Sequence, residues 1–197
     1  MSTSPAAPSD SGRGRRVDAI RNSQLVLDAA AAVFVEEGVD APVRRIATRA
    51  GVGIATVFRH YPDRRDLIVA VYRHQVEACA EAAPVLLDSE PTPVAALSRW
   101  AGLFVEFLTT KHGLASVMSS DAGGFGALHA YFLDRLVPAC QLLLDAGVER
   151  GQIRADMPGA LVLRAIGNLC VTSRFDEHGE TAAMVQVFID GLTVAGR

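Results

Sequence analysis

The chain has 197 residues, half of them hydrophobic, with a single Trp and a formal net charge of −3. That is enough for one compact domain or for a small head joined to a larger body, and apolar enough for a sizeable core. No apolar run approaches a membrane span, none opens the chain as a secretory signal, and alternating β-branched runs are scarce, so the expected fold class is all-α.

In chain order, residues 1–10 are Ser, Pro and Ala with almost no apolar content and should be disordered. Residues 12–16, GRGRR, extend this into a basic arm that suits a minor-groove or phosphate contact, or serves only as a solubilising tail. Asn22 or Ser23 can cap a first helix carrying Leu25, Ala29, Ala32, Val33 and Phe34 at helical spacing and stopping at Gly38. Pro42 fits the first turn of a second helix, on which Ile46, Ala47 and Ala50 share a face. Gly51 sits where that helix must stop, and Val52 plugs the turn. A third helix, residues 54–60, turns Val57 inward beside Ile54 or Phe58 and leaves Ala55, Thr56, Arg59 and His60 outward. Two short helices about a tight turn, residues 42–61, form a helix-turn-helix pattern, whose second helix lies in the major groove of DNA. A hydroxyl, a guanidinium and an imidazole on that helix suit phosphates and base edges. Pro62 ends it, and Asp63 caps a fourth helix, residues 64–83, with Leu67, Val71 and Val76 inward and Pro84 beyond its end.

The rest reads as a helical body. A helix over 93–110 carries Leu97, Trp100, Ala101, Phe104 and Leu108 on one stripe, then breaks at His112 and Gly113 before a short helix over 114–119. Residues 121–124, DAGG, read as a turn or gate. A helix over 125–149 follows, kinked at Pro138, with Phe125, His129, Phe132, Leu133, Cys140 and Leu143 on its apolar side. Asp156 offers a cap to a helix over 159–173 bearing Leu161, Val162, Ala165, Ile166 and Leu169. After a polar connection, 174–180, the last helix over 181–195 has one stripe at Met184, Val187, Phe188, Gly191 and Leu192 and a second apolar set at Val185 and Ile189. A surface helix needs one apolar stripe, so the second calls for a partner, most simply a twin copy, with Gly167 and Gly191 permitting close approach.

Charge divides unevenly. Residues 1–65 hold ten Arg against seven acidic side chains, whereas residues 66–197 hold nine basic and fifteen acidic ones. Positive charge is concentrated where phosphates would be met. No G-x-S-x-G, phosphate-cradling Gly loop or H-E-x-x-H is present, and His74, His112, His129 and His178 lack metal-ligand spacing. Cys79, Cys140 and Cys170 are too far apart for a disulfide framework or zinc site and fit a reducing cytoplasm. No catalytic group, cofactor or metal is therefore expected.

The run LDAAAAVFVEEGVDAPVRRIATRAGVGIATVFRHYPDRRDLI resembles the N-terminal domain of the TetR family of transcriptional regulators. The likeness lies in AA…F…GV, IA…AGV…T, the RHYP tail and basic Arg64, over about a quarter of the chain. Three positions depart from the family pattern: Gly53 stands where Ser is frequent, Phe58 where a phosphate-touching Tyr is, and Arg64 where Lys is. The resemblance implies a three-helix head over 18–78 preceded by an arm, 1–17, and a ligand-binding and dimerisation body over 79–197. It implies a cytoplasmic, ligand-responsive homodimer that represses from a palindromic operator. Arg44, Arg45, Gly53, Ala55, Thr56, Phe58, Arg59, His60, Tyr61 and Arg64 would then meet double-stranded DNA. Trp100, Phe104, Phe107, Met118, Phe125, His129 and Phe132 would line a cavity for a small apolar or amphipathic effector. Leu161, Ala165, Leu169, Val185, Phe188, Ile189 and Leu192 would form the dimer interface. The competing expectation is a helical small-molecule-binding protein whose head does not bind DNA.

Overall fold

The computed structural model describes the backbone of residues 11–118, 122–171 and 179–194, and the side chains of 21–108, 126–170 and 179–194. Within them run eight helices: α1 (Ser11–Glu37), α2 (Val43–Ala50), α3 (Ile54–His60), α4 (Arg64–Ser89), α5 (Pro93–Met118), α6 (Ala122–Glu149), α7 (Gly159–Val171) and α8 (Glu180–Asp190). Among the described residues the only extended pairing is an isolated antiparallel bridge between Ile153 and Thr193. The protein is all-α, as its composition requires. Two compact units divide the chain, Met1–Val71 and Tyr72–Arg197. The division falls inside α4, earlier than the boundary after residue 78 drawn from the sequence.

In the first unit α1 packs on α2, and α2 on α3. Their buried residues include Val26, Ala30, Val33, Phe34, Ile46, Ala47 and Val57, joined by Leu67, Ile68 and Val71 of α4. α1 ends at Gly38, whose φ of 83° lies in the left-handed region and whose N–H bonds back to the Phe34 carbonyl at 3.1 Å. Its beginning differs from expectation. Asn22 and Ser23 lie inside the helix, not at its cap, and the backbone of residues 12–16 is already helical. No Pro interrupts them, and the three Arg favour a helix although Gly12 and Gly14 each cost it about 1 kcal/mol. Leu25 is exposed; the inward face is set by Val26, Ala29, Ala30 and Val33. Residues 1–10 lie outside the described part.

The second unit is a bundle in which α5 packs on α6, α7 and α8, and α7 contacts both α6 and α8. Trp100, Phe104, Leu97, Leu136, Leu143, Ile166 and Ile189 form its interior. Two helix ends read from the sequence are passed over. α4 continues through Pro84 to Ser89, while α6 runs through Pro138 to Glu149 as its spacing implied. Both prolines are exposed. α5 runs without a break past Gly113 to Met118, because one Gly costs a long packed helix only about 1 kcal/mol. Ala122, Gly123 and Gly124 belong to the start of α6, not to a turn. Leu133, expected on the apolar side of α6, is exposed.

The C-terminal segment is not helical to residue 195. α8 stops at Asp190, and the chain pairs with the loop after α6 instead: Arg154 N–H bonds the Leu192 carbonyl at 3.0 Å and Val194 N–H bonds Gln152 at 2.9 Å. A Cβ at Gly147 would collide with the Ile153 side chain, so glycine is what lets this loop seat against α6. Asp156 does not cap α7; it accepts from Arg154 at 2.5 and 2.6 Å, and the Gly159 N–H is taken by the Gln141 side chain at 2.7 Å. The polar connection lies outside the described residues except for Gly179 and Glu180.

Candidate functional site

α2 and α3 are joined by a turn that only a few residues can make. Gly51 has φ 67° and ψ 29°, and Val52 N–H bonds the Ala47 carbonyl at 3.1 Å, closing the end of α2. Gly53 is the N-cap of α3 with φ −69° and ψ 142° and supplies no side-chain bond to the helix. Val57 alone of α3 is buried. At about 100° per residue, Ala55 and Arg59 then lie about 20° from the direction opposite Val57, which is the centre of the outer face. Ile54 and Phe58 flank one side of that centre; Thr56 and His60 flank the other. The expectation that Ile54 or Phe58 joins Val57 inside fails for both: they are 44% and 48% exposed. In so short a helix one inward side chain suffices to hold it on α2.

The basic residues around this face are not equivalent. Arg59 is exposed, and Arg44, at the start of α2, is exposed with no side-chain partner among the described residues. Arg45 is bound to Glu37 of α1 through Nε at 2.9 Å and Nη2 at 2.6 Å, which raises its already high pKa. Arg49 is similarly paired with Glu36 at 2.6 Å. Such exposed pairs are weak and salt-screened, so a phosphate can compete for Arg45. Tyr61 shares a hydrogen bond of 2.8 Å with Ser23 of α1. Arg64 points into the unit: Nε and Nη2 donate to the Val39 carbonyl, the former at 2.7 Å, Nη2 also donates to Ala41 at 2.7 Å, and the guanidinium lies 5.9 Å from the centre of the Phe34 ring. Those donors hold the α1–α2 loop, so the phosphate contact assigned to Arg64 from the sequence is replaced by a structural role. No sequence signal distinguishes that role, because it depends on where the carbonyls of residues 39 and 41 come to lie.

In the body, the rings expected around a cavity pack on one another. Trp100 and Phe104 stack at 5.7 Å between centroids, Phe104 and Phe107 at 6.3 Å, and Phe132 lies 5.9 Å from each of Phe104 and Phe107. Trp100 donates from Nε1 to the Cys79 carbonyl at 2.8 Å. Trp100, Phe104 and Phe132 are therefore core. His129 is exposed and stacks on Phe132 at 5.8 Å. Met118 and Phe125 have side chains outside the described residues. Of the expected set, Phe107 also borders an open space, a cleft of about 320 Å³ between α4 and α5 lined by Gln75, Ala78, Cys79, Leu103, Glu106 and Phe107. Gln75 Oε1 is shielded from solvent and has no hydrogen-bond partner among the described residues. Burial pushes the thiols of Cys79 and Cys140 up to about 12, which disfavours the reactive thiolate. A second feature invisible in the sequence ties α4 to α6: Arg135 clasps Glu77 through Nε at 2.8 Å and Nη2 at 2.5 Å, and Tyr131 donates to the same carboxylate. Arg135 above all holds the Glu77 pKa below its ordinary value.

The expected dimer residues divide into two groups. Val185, Ile189 and Leu192 are buried within the protomer, so the set read as the interface of α8 is its inward face. The outward face of α8 is the other stripe, with Met184 41% and Val187 72% exposed and Phe188 half-buried. On α7, Leu161, Ala165 and Leu169 are all half-buried and recur at four-residue spacing along one stripe. Among the described residues no group of His, Cys, Asp and Glu could hold a metal, and no helix is long and apolar enough to cross a membrane.

Residues 26–71 match the family model for bacterial regulatory proteins of the tetR family, and residues 92–194 match that of the SbtR-like transcriptional regulator C-terminal domain. A TetR transcriptional regulator from Streptomyces coelicolor is 33% identical in its crystal structure, with a TM-score of 0.76 over 88% of this chain and 99% of that one. A TetR regulatory protein from Mycobacterium vanbaalenii, also 33% identical, superposes with a TM-score of 0.68 over 91% of this chain and 99% of its own. An HTH-type transcriptional regulator from Staphylococcus aureus is 39% identical over 62 residues, 31% of this chain; the match spans 34% of that relative's length.

Proposed function

The chain belongs to the TetR family of transcriptional regulators, and from that premise we propose that it is a cytoplasmic, sequence-specific DNA-binding repressor, not an enzyme, that leaves a palindromic operator when a small amphipathic effector binds its body. The observation that carries the reading is the outer face of α3. A helix held by one buried valine presents Ala55 and Arg59 centrally, Thr56 and His60 to one side, and free Arg44 nearby on α2. Arg59 suits the O6 and N7 acceptors of guanine, Thr56 and His60 suit phosphate or base edges, and Arg44 suits phosphate.

Two copies are needed to present two such helices one DNA turn apart. The half-buried stripe of α7 with Met184, Val187 and Phe188 of α8 is the surface we assign to self-association. The cleft between α4 and α5 supports the effector reading: Leu103 and Phe107 give an apolar wall, and Gln75 supplies an acceptor that an occupant with a donor would satisfy. α4 carries both Gln75 and, on the same unbroken helix, the residues that pack in the head. An effector that favours one arrangement of α4 shifts the population between DNA-competent and incompetent dimers.

Selection from random duplex DNA by the full chain tests the reading. A near-palindromic motif should emerge, its affinity should fall steeply with salt, and Arg59→Ala should weaken it by about 10- to 100-fold, as loss of a bidentate base contact does. No enriched motif would favour instead a helical small-molecule-binding protein whose head does not bind DNA, and binding indifferent to salt would remove the phosphate contacts.

A further inference from the structure

Ile54 and Phe58 are one helical turn apart on α3, and both are nearly half exposed to solvent although large apolar side chains gain by burial. Val57 alone of α3 is buried. With Ala55, Ile54 and Phe58 make one flank of α3 apolar, opposite the flank of Thr56 and His60, with Arg59 near the centre of the outer face. The Tyr frequent at position 58 in the family touches phosphate through its hydroxyl; Phe58 has no such donor, and phosphates and base amides give an apolar flank nothing. Along the floor of the major groove the apolar group on offer is the 5-methyl of thymine. Resting on the DNA-binding reading above, we propose that Ile54, Ala55 and Phe58 are specificity-determining residues that read thymine methyl groups beside the guanine contacted by Arg59.

The apolar flank and the guanidinium then divide the half-site between them. Bases next to the guanine, on the Ile54–Phe58 side of the helix axis, are selected for a methyl, and the Thr56–His60 side is free to meet the sugar–phosphate wall. A pair that differs from thymine–adenine only by the missing methyl must therefore be discriminated, though its hydrogen-bonding edge is unchanged.

Deoxyuridine substitution isolates that methyl. In the selected operator each half-site thymine is replaced singly by deoxyuridine, and the full-length protein is titrated by fluorescence anisotropy at fixed salt. At one or two positions the wild type should bind about three- to fivefold more weakly, the worth of one methyl withdrawn from water. Phe58→Ala, or Ile54→Ala, should bind the thymine operator more weakly and lose the discrimination at its own position, so that thymine and deoxyuridine duplexes become equal. Both sites are exposed, so both variants should keep the far-ultraviolet circular dichroism of the wild type. Tight, salt-dependent operator binding that ignores deoxyuridine at every position, or a half-site without thymine, overturns this inference while leaving the DNA-binding reading intact. Failure to enrich any duplex sinks both.

Discussion

Arg64 separates a charge that meets DNA from a charge that builds the head. Its guanidinium forks to the carbonyls of Val39 and Ala41, both residues being buried, and covers the Phe34 ring. Replacing it by Ala leaves two carbonyls without their charged donor and uncovers an aromatic face. Hydrogen bonds from a charged donor contribute about 1.5–3 kcal/mol and a part-exposed cation–π contact about 0.5–1 kcal/mol. Allowing for water reaching part of the site, Arg64→Ala should destabilise the first unit by about 2–4 kcal/mol. Arg64→Lys should lose a large share of this, because one ammonium cannot reproduce the planar fork. The assay is amide hydrogen exchange of the full chain, read over residues 39–57. The loss corresponds to exchange faster by about 30- to 900-fold in amides protected by local opening of this unit. The salt slope of operator binding, measured on Arg64→Ala at a temperature where it stays folded, should match wild type. A phosphate-contact role predicts the reverse: exchange unchanged in Arg64→Ala, and a salt slope smaller by about one ion. That pattern would refute the structural assignment.

Three further outcomes follow from the geometry. Val187→Glu places a charge on the outward face of α8 and should shift the dimer toward monomer in sedimentation without lowering the melting temperature of the body, whereas Ile189→Ala, on the inward face, should destabilise by about 2–5 kcal/mol. Glu77 has a depressed pKa, so its pairing with Arg135 stabilises the folded state above the ordinary carboxylate value and is lost as pH falls below it. Arg135→Gln should therefore flatten the decline in urea midpoint between pH 6 and about pH 3; an unaltered decline counts against the clasp. Gly53→Ser should stabilise α3 by a few tenths of a kcal/mol and up to about 1 kcal/mol. Its backbone already has extended cap geometry, and a new Cβ would lie 3.9 Å from Thr56 Oγ1, an ordinary contact. Faster exchange in α3 would show that the hydroxyl finds no N–H there.

Much of this protein is written locally. Gly51 at the end of α2, the spacing of Ile46, Ala47 and Val57, and the Arg-bearing α3 follow from short-range sterics and helical periodicity, so the helix-turn-helix, the all-α class and the position of Arg59 and Arg44 were legible without a structure. The apolar rings of α5 and α6 were legible as inward, but not as core in preference to cavity lining, since a ring facing a neighbour and a ring facing a void have the same spacing. What tertiary structure alone decided is which of several equivalent partners each group took. Arg64 went to the carbonyls of the α1–α2 loop, Arg45 to Glu37, and Val185 with Ile189 to their own protomer. Pro84 was absorbed within α4. A sequence states what a side chain can bond, but the free energy of each choice depends on neighbours far along the chain that packing brings within reach.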